Sequence, residues 1–147
     1  MLQLPLLEMT MRTELRDGKT FVWDAIRKIW VVLTPEEHVR QLLLGYLTTR
    51  EGYPARRIGV EKKVMVGTLG RRFDAVVYDD EIKPWMLIEC KAPEVAVTQQ
   101  TLLQLLAYHQ RLQCRYWVLS NGHQTYCADA GNPQDIRWLN GLPAYDF

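Results

Sequence analysis

The stretch RFDAVVYDDEIKPWMLIECKAP, residues 72–93, decides the fold. Two runs rich in β-branched and aromatic residues, RFDAVVYD (72–79) and WMLIECKA (85–92), flank the turn-type segment DEIKP. That pattern predicts a β-hairpin. A strand alternates faces, so Glu89 and Lys91 project together while Ile88 and Cys90 point the other way. A register centred on the turn pairs Tyr78 with Trp85 and Val76 with Leu87, and it sets Asp74 opposite Glu89. Directly opposed side chains have Cβ atoms about 5 Å apart. Two carboxylates so close repel each other unless a cation lies between them. Lys91 joins the same face one step along.

Working outward, RIGVEKKVMV (57–66) reads as a strand before this hairpin, joined to it by a turn at GTLGRR. The three strands form a meander. Before them, TPEEHVRQLLLGYLTTREG (34–52) carries helix signals: Thr34 as N-cap, Pro35 at the first helical position, and Glu37 completing a capping box. Val39, Leu42, Leu43, Tyr46 and Leu47 keep helical spacing, and Gly52 ends the helix. After the hairpin come a helix from about Val97 to Leu112, a strand RYWVLSNG (115–122) and a second strand QTYCAD (124–129). The tail from Pro133 is expected to pack on the body. Residues 1–33 read as strand-like pieces around a turn at DGK (17–19), with residues 1–23 as an N-terminal extension. The order predicts one α/β domain of 147 residues, a mixed β-sheet flanked by helices.

The formal net charge is only +1, so the whole-protein charge points to no partner. Its distribution does. Between residues 50 and 72, Arg50, Arg56, Arg57, Lys62, Lys63, Arg71 and Arg72 face only Glu51 and Glu61. A local basic excess suits a polyanion, and Arg56, Arg57, Lys62, Lys63, Arg71 and Arg72 are the candidate nucleic-acid contacts. A solvated hairpin is the alternative. Three cysteines without a CxxC pair suggest reduced thiols in the cytoplasm. The opening residues lack the pattern of a signal peptide, and no apolar run approaches a membrane span.

Asp74, Glu89 and Lys91 converging on one point suit metal-assisted hydrolysis of a phosphodiester. Two carboxylates bind Mg²⁺ or Mn²⁺, the cation offsets phosphate charge and lowers the pKa of a water, and the lysine orients that water. A surface ion network without chemistry is the plainer alternative.

The order Asp74, then Glu89-Cys90-Lys91 after a hairpin, resembles the PD-(D/E)xK nuclease motif. More narrowly, IRKIWVVLTPEEHVRQ (26–41), ECKAPEV (89–95), QLLAY (104–108) and LSNG (119–122) resemble the N-terminal nuclease domain of type I restriction enzyme R subunits, from about Asp24 onward. Phe73 stands where the motif's proline would be. The resemblance implies a restriction-endonuclease-like fold and a DNA endonuclease. Asp74 and Glu89 would be metal ligands with the Cys90 backbone carbonyl a third, and Lys91 the catalytic lysine. It also implies a glutamate from the first helix. Glu36 lies about 60° from the centre of the apolar stripe and Glu37 about 160° away, which favours Glu36. Gln104 and Tyr108 would flank the site from the second helix, where an ordinary polar helix face is the alternative. A chain of 147 residues has no room for a helicase motor, so a separate motor or specificity protein is an expected partner. The competing function is a catalytically silent nucleic-acid-binding or assembly module of the same fold.

Overall fold

In the computed structural model, which describes residues 1–147, two sheets and two helices form a mixed α/β fold. A small antiparallel sheet comes first: β1 (Thr13–Arg16), β2 (Lys19–Asp24) and β3 (Ile29–Val32). The small sheet therefore runs past the expected boundary at residue 23 to Val32, while Leu2 and Leu6 before it are buried in the main core. Asp17 and Gly18 link β1 to β2, both with positive φ (49° and 78°), which is the two-residue turn that matches strand twist.

Helix α1 (Pro35–Thr49) starts where Thr34 Oγ1 accepts the Glu37 N–H at 3.1 Å. The cap matches expectation, but Glu37 does not close a capping box. Its side chain turns inward to Arg40 and Gln41.

The large sheet runs in the order β4 (Ile58–Val66), β5 (Leu69–Tyr78), β6 (Pro84–Cys90), β7 (Tyr116–Ser120), β8 (Thr125–Asp129) and β9 (Arg137–Trp138). Only the β6–β7 contact is parallel, so the sheet is mixed. Helix α2 (Gln99–Tyr108) provides the crossover between β6 and β7. It is shorter than the apolar spacing suggested. Leu112 is buried beyond the helix end, while Leu105 and Leu106 are only half-buried.

Each helix covers one face. Val39, Leu42, Leu43 and Leu47 of α1 pack with Ala75, Val77, Met86, Ile88 and Val118. Leu102 of α2 packs with Val76, Leu87, Trp117 and Leu119 on the other side. Alternation explains the split, because neighbouring strand residues must enter opposite layers. All three cysteines are free and buried, and no helix is long and apolar enough to cross a membrane.

The hairpin register is as expected over Ala75↔Ile88, Val76↔Leu87 and Val77↔Met86. At Tyr78 it shifts, and Tyr78 pairs with Pro84 instead of Trp85 across an irregularity. Proline has no N–H to give the ladder, which makes this strand end a natural place for the slip.

Candidate active site

The alternation of β4 and β5 breaks at one level. Val60 belongs to the α1 layer while Val64 packs against the α2 layer, although an even spacing should keep them on one face. Phe73 and Ala75 are split in the same way. Between them, Val60↔Ala75 and Lys62↔Phe73 remain paired, but Glu61 and Asp74 do not. Glu61 has φ 54°, the left-handed region that a non-glycine residue rarely adopts. Backbone strain of this kind collects at functional sites.

At the same level the β5–β6 ladder stops after Ala75↔Ile88. The Cys90 N–H, left without a strand partner, donates to Asp74 Oδ2 at 2.7 Å. Asp74 therefore does not form a laddered pair with Glu89. It occupies the gap where two strands separate, with Glu61 level on one side and Glu89 level on the other. Three adjacent strands each bring one carboxylate to this point.

The electrostatics show the crowding. Burial and the neighbouring Asp74 carboxylate push Glu89 up to about 7, against the pull of Lys91. Asp74 is also raised, by burial first; the Cys90 N–H, Arg40 and Lys91 oppose that rise, and Glu36 adds to it. Lys91 acts on both carboxylates through space, while its backbone N–H is held by Ser120 O at 2.8 Å. The structure thus brings Asp74, Glu89, Lys91 and Glu36 into one electrostatic cluster. Glu36 is exposed, and Glu37 is 8% exposed and committed elsewhere. The Cys90 thiol is buried, with its pKa raised by the apolar surroundings, so only the backbone of Cys90 is a candidate ligand.

Sequence reasoning missed the support of this cluster. Arg40, 7% exposed, reaches Glu37, Glu61 Oε1 at 3.3 Å and Asp74 Oδ1 at 3.5 Å. Arg27 holds Asp24 Oδ2 at 2.8 Å and Glu61 Oε2 at 3.3 Å, and Gln41 bridges Asp24 and Glu37. Arg27 Nη2 approaches Glu37 only to 3.5 Å and has no hydrogen bond. Burial raises the carboxyls of Asp24 and Glu37, but these donors prevail and both end below their ordinary values. A Glu37–Arg40 spacing of three residues was the one signal available in the sequence.

The connected acids are Asp24, Glu36, Glu37, Glu61, Asp74 and Glu89, against Arg27, Arg40 and Lys91. With every acid ionised, negative charge is in excess by three, so a divalent cation suits the cluster. No three His, Cys, Asp or Glu side chains form a metal cage. Two carboxylates with a backbone carbonyl and waters still fit Mg²⁺, which keeps several waters when protein-bound.

The other candidates lie around this centre. Tyr108 is 73% exposed, with the Arg71 guanidinium 5.7 Å from its ring centre, and Gln104 is exposed. Neither makes a hydrogen bond to the carboxylates. Lys63 stands directly opposite Arg72, a like-charge pair that costs stability. By alternation Lys62 and Arg71 occupy the opposite face of the hairpin from Lys63 and Arg72. Arg56 and Arg57 belong to the 3-10 turn Ala55–Arg57 before β4. The basic residues thus surround both faces of the hairpin and do not form one patch. Asn121 Nδ2 donates to Val95 O at 2.8 Å and so anchors the loop that follows Lys91.

A family model described as type I restriction enzyme R protein N terminus matches residues 35–143. The match runs from the first residue of α1 past β9 and includes every member of the carboxylate cluster except Asp24 and Arg27, along with Gln104, Tyr108 and the basic hairpin. No curated protein matches the chain. The chain belongs to the family of type I restriction enzyme R protein N termini.

Proposed function

We propose that this member of the type I restriction enzyme R protein N-terminal family is a Mg²⁺- or Mn²⁺-dependent DNA endonuclease module of the PD-(D/E)xK type. The observation that carries the reading is the crowding of Asp74 and Glu89 at a broken strand level, with Glu89 raised to about 7. Like charges gathered at such cost are a mark of catalytic and metal sites.

In this reading Asp74, Glu89 and the Cys90 carbonyl hold the cation. The ion supplies Lewis acidity toward a phosphoryl oxygen and lowers the pKa of a bound water. Arg40 and the Cys90 N–H fix Asp74, so that this carboxylate is pre-positioned. Lys91 orients the attacking water and offsets the negative charge that builds on the phosphate. Glu36, exposed at the start of α1, is the helix glutamate at the edge of the site and acts on Asp74 and Glu89 through space.

Lys62, Lys63, Arg71 and Arg72 take the phosphate backbone on either side of the hairpin, with Arg56 and Arg57 extending the contact. A polyanion relieves the Lys63–Arg72 repulsion. With three of these six residues on phosphates at a time, duplex DNA gives a log–log salt slope of about −3. In this reading binding is largely independent of sequence, because the contacts go to phosphates. Sequence preference and activation are then supplied from outside this domain, with a separate motor or specificity protein as the proposed partner.

The contact of Arg40 with Asp74 favours a second reading, a silent binding or assembly module in which the charges form only a structural network. Incubation of supercoiled plasmid with purified protein and Mg²⁺ or Mn²⁺ separates the two. The nuclease reading expects nicking or linearisation that Lys91→Ala lowers by at least about 100-fold, in the range of one positioned acid–base group. Equal behaviour of wild type and Lys91→Ala favours the silent module.

A further inference from the structure

The outward face of the β1–β3 sheet belongs to neither apolar core. Val22 and Asp24 point inward and are buried, so Phe21 and Trp23 lie on the opposite face. Trp23 pairs with Trp30 across the strands, and their rings meet edge to face at 5.4 Å. Two arginines cover these rings. The Arg12 guanidinium is 5.6 Å from Trp23 and 5.1 Å from Trp30, and that of Arg16 is 5.6 Å from Phe21 and 5.1 Å from Trp30. Lys19, opposite Arg16, adds a third positive charge. Two acids lie beside them, Glu14, bonded to Arg16 at 3.1 Å, and Asp17 in the turn between Arg16 and Lys19, which leaves the cations in excess.

This combination is specific in its chemistry. An apolar peptide would need an apolar groove, whereas every ring here lies beside a cation. Duplex DNA presents phosphates but hides the faces of its bases. A single strand presents both, and bases stack on aromatic rings and on guanidinium planes alike. Stacking also holds Arg12 and Arg16 in place, which lowers the entropy lost when they meet phosphate.

We propose that the face formed by Arg12, Arg16, Lys19, Phe21, Trp23 and Trp30 binds single-stranded nucleic acid. Bases stack on the guanidinium planes that overlie Trp23 and Trp30, and the free N–H groups of Arg12 and Arg16, with Lys19, take the phosphates. The face precedes the residues matched by the family model and does not depend on the carboxylate site. Asp24 nonetheless ties the sheet to α1 through Gln41, so a strand held here lies on an element fixed to that helix.

The test is fluorescence anisotropy with a labelled oligothymidylate and a duplex of equal length, titrated at several salt concentrations. Wild type binds the single strand more tightly than the duplex. Trp30→Ala weakens single-strand binding at least about fivefold, the lower range for one stacked base. Arg12→Gln with Arg16→Gln flattens the log–log salt slope by about 1.4, at about 0.7 per single-strand phosphate contact. Lys83→Gln, an exposed lysine in the turn between β5 and β6, removes a charge without either effect. A melting curve shows whether Trp30→Ala keeps the fold, and the exposed arginine pair gives a second readout if it does not. Unchanged affinity and slope in both variants overturn the proposal. So does absence of single-strand binding by the wild type at low salt, which would leave the face to a protein partner. Failure of the nuclease reading is separable, because it concerns cleavage and Lys91 rather than oligonucleotide binding.

Discussion

Asp74 accepts the Cys90 N–H at 2.7 Å and faces Arg40 at 3.5 Å, yet its pKa still lies above the ordinary value. Two favourable contacts do not offset burial and the nearby carboxylates. Glu89 is shifted further, to about 7 from an ordinary 4.5, and this has a stability consequence. A group whose folded pKa is raised stabilises the fold below its unfolded value and loses that contribution as pH rises through the folded value. In a chelator, wild-type stability should therefore fall between about pH 4.5 and 7, by at most about 1.4 kcal/mol per pH unit for this one group. Glu89→Gln should flatten that slope, as denaturant unfolding across the range would show. A slope identical in both proteins would mean Glu89 is not shifted. Arg40 gives a second prediction. Arg40→Met leaves Glu37 buried with Gln41 and Arg27 alone, and should cost about 3 kcal/mol, the low end for breaking a buried pair. Adding Glu37→Leu should recover much of the loss, and a single-variant cost below 1 kcal/mol would contradict the account.

At the scale of elements, the middle of the hairpin was legible because the turn position set the pairing sum there, although the pair next to the turn slipped and the ladder ended before Asp74. The pairs Ala75↔Ile88 to Val77↔Met86 are where that logic places them. What escaped was the break. A left-handed Glu61 and the change of layer between Phe73 and Ala75 leave no periodic trace. Glu37 was misread for a related reason. The capping-box spacing is local, but its carboxylate found stronger distant partners in Arg40 and Gln41. The cap itself stands, so Thr34→Ala should cost about 1 kcal/mol of stability by thermal or chemical unfolding. No change would mean that the N-terminus of α1 is held by Pro35 and packing alone. Helix α2 was overread because apolar residues keep helical spacing past Tyr108, and Leu112 is buried in the turn beyond the helix.

On the scale of the whole molecule, three separate pieces meet at one place. The N-terminal sheet supplies Asp24 and, just beyond β2, Arg27. Helix α1 supplies Glu36, Glu37, Arg40 and Gln41, and the large sheet supplies Glu61, Asp74 and Glu89. The proximity of Asp74, Glu89 and Lys91 was readable from the sequence; the network around them was not, because its links from Arg27 and Arg40 to Glu61 and Asp74 join residues far apart in the chain. With its acids ionised the assembly is negative by three, and a divalent ion should bind the folded state and stabilise it. The most direct measurement is the melting temperature with and without Mg²⁺ or Mn²⁺, in wild type and in Asp74→Ala. At tenfold excess over Kd the ion contributes about 1.4 kcal/mol, a rise of roughly 3–6 °C for a chain of this size. Asp74→Ala should abolish the ion-dependent rise, even if relief of repulsion makes its metal-free form more stable. Equal ion-dependent shifts in the two proteins, or none in wild type, would contradict a cation site at Asp74 and Glu89.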